Sequence, residues 1–189
     1  MPLHGLSTND LERMADEEFW NYARGHADTV PRNSSLETNY QDQHLECELS
    51  RGKCLISLKA TVEVLSPPQQ YTYLPLIPTW MCGLFAWRGE SIPVIDLDMY
   101  LCGVSPSQSS GLLLIANYSA ITVGLLVPGI GLTTTVQFEQ VQPPIGPAVF
   151  YTPIRAGVIR GVYAEEPVLD VSALLPDVVQ QIGMAAYYG

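Results

Sequence analysis

Charge is what this sequence has least of. Only 15% of its 189 residues are Asp, Glu, Lys or Arg while 47% are hydrophobic, a balance that buries readily and excludes general disorder. Bases are scarcer than acids, nine against 19, giving a formal charge of −10. That sign excludes the coating of phosphate backbones or anionic membrane surfaces, so no nucleic-acid partner is expected. Histidine occurs only at positions 4, 26 and 44, and the four cysteines (47, 54, 82, 102) form no C-x-x-C pair. No zinc site is offered. The sequence also lacks a Walker-type loop, a G-x-S-x-G elbow and an H-E-x-x-H helix, and Gly129-Ile130-Gly131 lacks the third glycine of a dinucleotide fingerprint. No metal and no cofactor is expected.

A basic start followed by an apolar core is missing as well, since MPLHGLSTNDLERMADEE turns acidic where a signal peptide would not. The expectation is a cytoplasmic chain whose thiols are free and mostly buried. In that setting Asn33-Ser34-Ser35 and Asn117-Tyr118-Ser119 are accidental glycosylation matches.

Between Asp98 and Glu139 no side chain is charged, and Gly111 to Leu132 is apolar enough to suggest a membrane span. A polar tetrapeptide, Asn117 to Ala120, divides it, Pro128-Gly129 comes near its end, and no basic residues flank it. Two short apolar runs joined by turn residues read as a β-hairpin in a buried sheet, without membrane insertion.

Charge and pattern change near residue 43. Residues 1–43 hold eight acids and three bases, the remainder eleven and six, so half the net charge sits in an N-terminal extension. Ser7-Thr8-Asn9-Asp10 offers caps for a short amphipathic helix with Leu11, Met14, Phe19 and Tyr22 at helical spacing, ending near Gly25. Its apolar stripe either docks on the chain's own core, the favoured reading, or binds another protein. Residues 28–43 read as a linker.

From residue 44 onward strands and turns alternate. His44–Leu49 and Cys54–Leu58 flank a turn at Ser50 to Lys53, and Ala60–Leu65 is a short helix or strand before Pro67-Pro68. Further strands are expected at 81–87, 91–95, 112–116, 121–127, 156–163 and 167–170, with a closing helix within 171–184. Fifteen Gly and fifteen Pro punctuate the chain, and no long helices alternate with the strands, so small β-barrels fit better than a parallel α/β sheet. The domain spans 44–180, with 181–189 as a tail. No spacing singles out a catalytic pair among the acids of this region, and the histidines are confined to the first 44 residues. The composition suits a protein that binds other proteins.

Residues 78–97, PTWMCGLFAWRGESIPVIDL, resemble the central signature of the CheW family of chemotaxis coupling proteins. A proline precedes an apolar strand containing Gly83, the Arg88-Gly89 pair follows at the family interval, and Ile92-Pro93-Val94-Ile95-Asp96-Leu97 matches the family's next strand. Thr61-Val62-Glu63-Val64-Leu65 looks like its V-x-E-V segment, the hairpin at 112–127 like its second-barrel hairpin, and Gly157 to Leu175 like its closing strand and helix. The resemblance implies a mainly β fold: two SH3-like five-stranded β-barrels packed side by side, here with a short N-terminal helical extension and a C-terminal helix. It implies a non-catalytic adaptor, located at receptor arrays on the inner face of the membrane. Its partners would be the regulatory domain of a CheA-type histidine kinase and the tip of a methyl-accepting chemotaxis receptor.

By the same resemblance Glu63 falls at the family's carboxylate and Arg88 at the arginine that pairs with it beside the receptor groove. Gly83 and Gly89 fall at family glycines. An arginine fork fixed by one carboxylate keeps donors for a partner, and glycine admits a close backbone. Trp80 and Phe85 read as core and Trp87 as an exposed anchor, so the partner-binding set is Glu63, Gly83, Trp87, Arg88 and Gly89, while Asp96, at a strand end, reads as a structural cap on the segment that follows. Two departures, Ala86-Trp87 for Asn-Leu and Pro128 for an aspartate, alter contact surfaces more than cores. A pilus-motility or light-response system fits as well as flagellar chemotaxis. The alternative from another class is a β-barrel enzyme or small-molecule binder using acidic pocket residues such as Glu90 and Asp98.

Overall fold

A computed structural model describes residues 43–104, 111–144 and 157–188, with side chains to residue 185. The expected N-terminal helix and most of the linker lie outside the described residues. Among the described residues ten strands form two five-stranded sheets. The first has the order β8-β1-β2-β10-β9 and the second β3-β6-β7-β5-β4. The first comprises β1 (Gln43–Leu49), β2 (Gly52–Ser57), β8 (Gly129–Thr135), β9 (Ile159–Tyr163) and β10 (Glu166–Leu169). The second comprises β3 (Thr61–Leu65), β4 (Met81–Trp87), β5 (Glu90–Asp96), β6 (Leu112–Tyr118) and β7 (Ile121–Val127). All of the second sheet thus lies in sequence between the two parts of the first.

β1 alternates, with Leu45, Cys47 and Leu49 buried and Glu48 exposed, as a strand with one solvated face should. β2 does not alternate because both of its faces are covered. Cys54 and Ile56 join the main core, whereas Leu55 packs with Val136 and Val168 in a smaller cluster. The β1–β2 turn is tighter than the sequence suggests: Leu49 pairs with Gly52, leaving Ser50 and Arg51 as its two residues.

The apolar stretch after residue 111 is a hairpin. β6 and β7 pair from Leu112↔Val127 to Tyr118↔Ile121, and no helix among the described residues is long and apolar enough to cross a membrane. Their neighbour β5 runs parallel to β7, with Val94 beside Gly124. A Cβ at Gly124 would come within 2.9 Å of both Val94 and Leu113, so the pairing depends on its absence.

Three elements differ from expectation. Residues 129–135, where no strand is expected from the sequence, form β8 along β1. Its two glycines lie beneath acids of β1: added Cβ atoms would stand 2.4 Å from Glu48 Oε2 at Gly129 and 2.8 Å from Glu46 Oε2 at Gly131. A short helix, α1 (Leu97–Cys102), follows β5 directly. Asp96 caps it by accepting from Met99 N at 2.9 Å, as expected, and Gly103 ends it with φ +69°. The closing helix α2 starts at Val171 and runs to Tyr188, through Pro176 and beyond the expected end at Met184. One core unites these parts, drawing on both sheets, α1 and the first turns of α2. Trp80 lies in it, its ring edge-on to Tyr100 at 5.1 Å.

Candidate partner-binding site

The expected site assembles around the β4–β5 turn. Trp87 pairs with Glu90, so Arg88 and Gly89 alone make the turn, both with positive φ, +48° and +88°. Those signs define the turn whose twist matches a hairpin. A Cβ on Gly89 would meet nothing within 4 Å, so glycine is needed there for backbone conformation and the space above it is open. Arg88 adopts a conformation uncommon for a side-chain-bearing residue.

Two side chains, Glu63 and Trp87, fix its direction. Arg88 Nη2 donates to Glu63 Oε2 at 3.0 Å, and Trp87 Nε1 donates to the same oxygen at 3.0 Å. The guanidinium also lies over the Trp87 ring, 4.7 Å from its centroid. The arginine side chain is 63% exposed and that of Glu63 33%. A pair so exposed contributes at most about 1 kcal/mol to stability, and the ring contact about as much again. Its effect is orientation more than strength.

Glu63 and Arg88 come from opposite edges of the second sheet, since β3 is its first strand and β4 its last. Their contact means that the sheet curls until side chains of its two edges meet. On β3, Val62 and Val64 alternate with Glu63 and are exposed, adding an apolar strip that sequence reading had placed within the V-x-E-V segment without giving it a role.

Two expected members are placed differently. Trp87 is half-buried, packing beside Ile92, Val94, Leu113 and Ile115, because its indole N–H is drawn to Glu63. Gly83, with φ +137°, sits at an irregularity of β4 where a Cβ would be 2.6 Å from Thr72 O. Thr72 exchanges backbone hydrogen bonds with Leu84 at 2.9 and 2.8 Å. The close approach at Gly83 is therefore made by the chain's own loop, the proline-rich segment 66–80. Phe85, expected in the core, is only half-buried, packed against the same four-residue cluster as Trp87.

The acidic-pocket alternative is not assembled. Glu90 and Asp98 lie at and beyond opposite ends of β5, which at about 3.3 Å per residue separates them by roughly 20 Å. Asp98 is fully buried, accepting from Ser50 N at 2.7 Å and from the Ser50 hydroxyl, so it ties the β1–β2 turn to α1. The cysteines are free thiols, three of them buried and Cys82 half-buried. Burial, reinforced by the neighbouring Asp98 carboxylate, pushes the Cys102 thiol up to about 12, and burial raises Cys82 to about 11. Among the described residues no group of His, Cys, Asp and Glu could hold a metal ion.

Comparison with known proteins decides the lineage. The model of the CheW-like domain matches residues 43–179. The chain belongs to the CheW-like domain family. This is a family of non-catalytic scaffold proteins of chemotaxis signal transduction. Among solved structures, the scaffolding protein TtCheW from Thermoanaerobacter tengcongensis superposes with a TM-score of 0.57 at 19% identity. The match covers 68% of this chain and 87% of that one, a likeness of fold. No curated protein sequence matches the chain.

Proposed function

We propose that this CheW-like chain is an adaptor coupling a CheA-type histidine kinase, through its regulatory domain, to the tip of a methyl-accepting receptor. It acts at receptor arrays on the cytoplasmic face of the membrane, in a flagellar, pilus-motility or light-response system. Glu63, Trp87, Arg88 and Gly89 form the contact surface, and Gly83 supports it by seating the 66–80 loop. Each five-stranded sheet is taken as an SH3-like barrel; in the second, the meeting of edge side chains supports that reading. Residues 44–180 are the binding domain, 1–43 an acidic extension that tunes association, and 181–189 a tail. The adaptor couples kinase activity to receptor state because it binds the assembled states with different affinity.

The observation that carries this reading is the clasp at Glu63, which holds an exposed guanidinium by one carboxylate oxygen and one aromatic face and leaves its remaining donors outward. A cation fixed before binding loses little entropy when it docks. The test is titration of the purified chain against the kinase regulatory domain, and kinase stimulation in reconstituted arrays, with Arg88→Ala alongside. Micromolar binding, about −8 kcal/mol, and loss of coupling in the variant are expected. Undiminished coupling by a folded variant overturns the assignment.

A further inference from the structure

A cavity of about 590 Å³ is lined from both sheets and the start of α2. Its wall takes Lys59 from the turn between β2 and β3, Asn117 and Ser119 from the β6–β7 hairpin, Phe138, Arg160 from β9, and Ser172 from α2. Among the described residues two ion pairs form, Lys53 with Glu46 and Arg88 with Glu63. Lys59 and Arg160 belong to neither. In a chain with 19 acids and nine bases, a cation has carboxylates to spare nearby. Two cations outside these pairs, against one carboxylate on a single concave wall, leave a positive charge there for a ligand to meet.

The wall has one carboxylate, Asp170, with one of its oxygens committed to the start of α2. Asp170 accepts from Ser172 N at 3.0 Å and Ala173 N at 3.3 Å, capping its own helix. Arg160 is held in place without spending a donor: its guanidinium lies 4.5 Å above the Phe138 ring, which is braced edge-on by His44 at 5.9 Å. A planar fork stacked in this way presents its N–H groups to an oxyanion. The hydroxyls of Ser57 and Ser119 add neutral donors to the wall, while that of Ser172 donates to Asp170 Oδ1. With two cations against one carboxylate the wall is net positive, and a concave surface focuses that field on a ligand even when the whole molecule is of the opposite charge.

We infer that this cavity binds a small multivalent oxyanion, a phosphomonoester or a di- or tricarboxylate, whose charge Arg160 and Lys59 share. The volume lies within the usual range of small-molecule sites. Neither Arg88 nor Glu63 lines the cavity, and the inference does not rest on the kinase and receptor reading.

The experiment is amide NMR and calorimetric titration of the full chain with citrate, AMP and inorganic phosphate, and separately with hexaglutamate. The expected result is saturable binding of citrate or AMP that shifts the amides of Lys59, Asn117, Ser119 and Arg160. Lys59→Gln and Arg160→Gln should each weaken it about tenfold, the loss of one charged hydrogen bond, while Lys53→Gln leaves it unchanged. Should Arg160→Gln unfold, Lys59→Gln, on an exposed turn, still reads the site. No saturable binding of any small anion at millimolar concentration overturns the inference. So does equal binding by wild type and the Lys59 variant. Binding of hexaglutamate alone also overturns it, and assigns the cavity to acidic side chains of a protein.

Discussion

The two sheets use the same parts, an ion pair and close-lying glycines, to different ends. In the first sheet, Lys53 reaches across to Glu46 at 2.9 Å, Thr134 donates to the other oxygen at 3.0 Å, and Gly129 and Gly131 make room for the acids of β1. Every partner there is supplied by adjacent strands of one sheet. In the second sheet, the acid and the base come from opposite edges, and Gly83 makes room for backbone from a loop. The lesson is that an ion pair's meaning lies in what it joins: the first is part of a sheet's surface, the second a clasp on an open seam.

The largest break in this comparison is expected at the glycines. Gly83→Val would drive its Cβ toward the Thr72 carbonyl from a positive φ, at a cost of about 3 kcal/mol or more. Gly129→Ala meets only the movable end of the Glu48 side chain and should cost less than about 1 kcal/mol. Urea unfolding of both variants measures the contrast, and equal losses would dissolve it.

Next comes Arg88→Ala, expected to weaken binding of the kinase regulatory domain about tenfold or more while changing stability by at most about 2 kcal/mol. Trp87→Phe keeps a ring beneath the guanidinium but removes the N–H to Glu63. Its affinity should fall about threefold, less than for Arg88→Ala, as one neutral donor is lost to a shared acceptor. Calorimetry on the two variants ranks them, and the reverse order would place the anchor on the indole.

The smallest effect belongs to Lys53→Ala, which should leave kinase binding untouched. Glu46 is held below the usual carboxylate range chiefly by its hydrogen bond from Lys53 and then by that from Thr134. A depressed carboxylate adds stability that is present above its unfolded pKa and is lost as pH falls through the lower folded value. Urea midpoints compared near neutrality and in acid should therefore converge slightly in the variant. Unchanged pH dependence would leave Thr134 and other neighbours as the cause.

Strands with one wet face, such as β1, were legible from alternation, and the 78–97 signature pointed to the fold family. The pairing of β1 and β2 with β8, β9 and β10 was not, because periodicity describes a strand's faces and says nothing about which distant strand lies beside it. β8 hid behind two glycines whose purpose, making room for Glu46 and Glu48, exists only once β1 is alongside. α1 is six residues long, too short for a helical period to declare itself, although Asp96 at the strand end is legible as a cap on whatever follows. In the site, the Glu63–Arg88 contact came from family resemblance alone. That Trp87 would bond Glu63, and that Gly83 would serve Thr72, depended on contacts across the curl of a sheet.

The order of the strands along the chain also sets an order in time. Synthesis delivers β1 and β2 first, yet their partners in the first sheet begin with β8 and end with β10 at Leu169. The second sheet, by contrast, is complete at Val127. On the ribosome the inner sheet can therefore close while the leading hairpin still waits, its Leu55 face uncovered until Val136 and Val168 emerge. Contacts spanning so much chain slow folding, and a chain truncated before β9 would present that hairpin edge to chaperones.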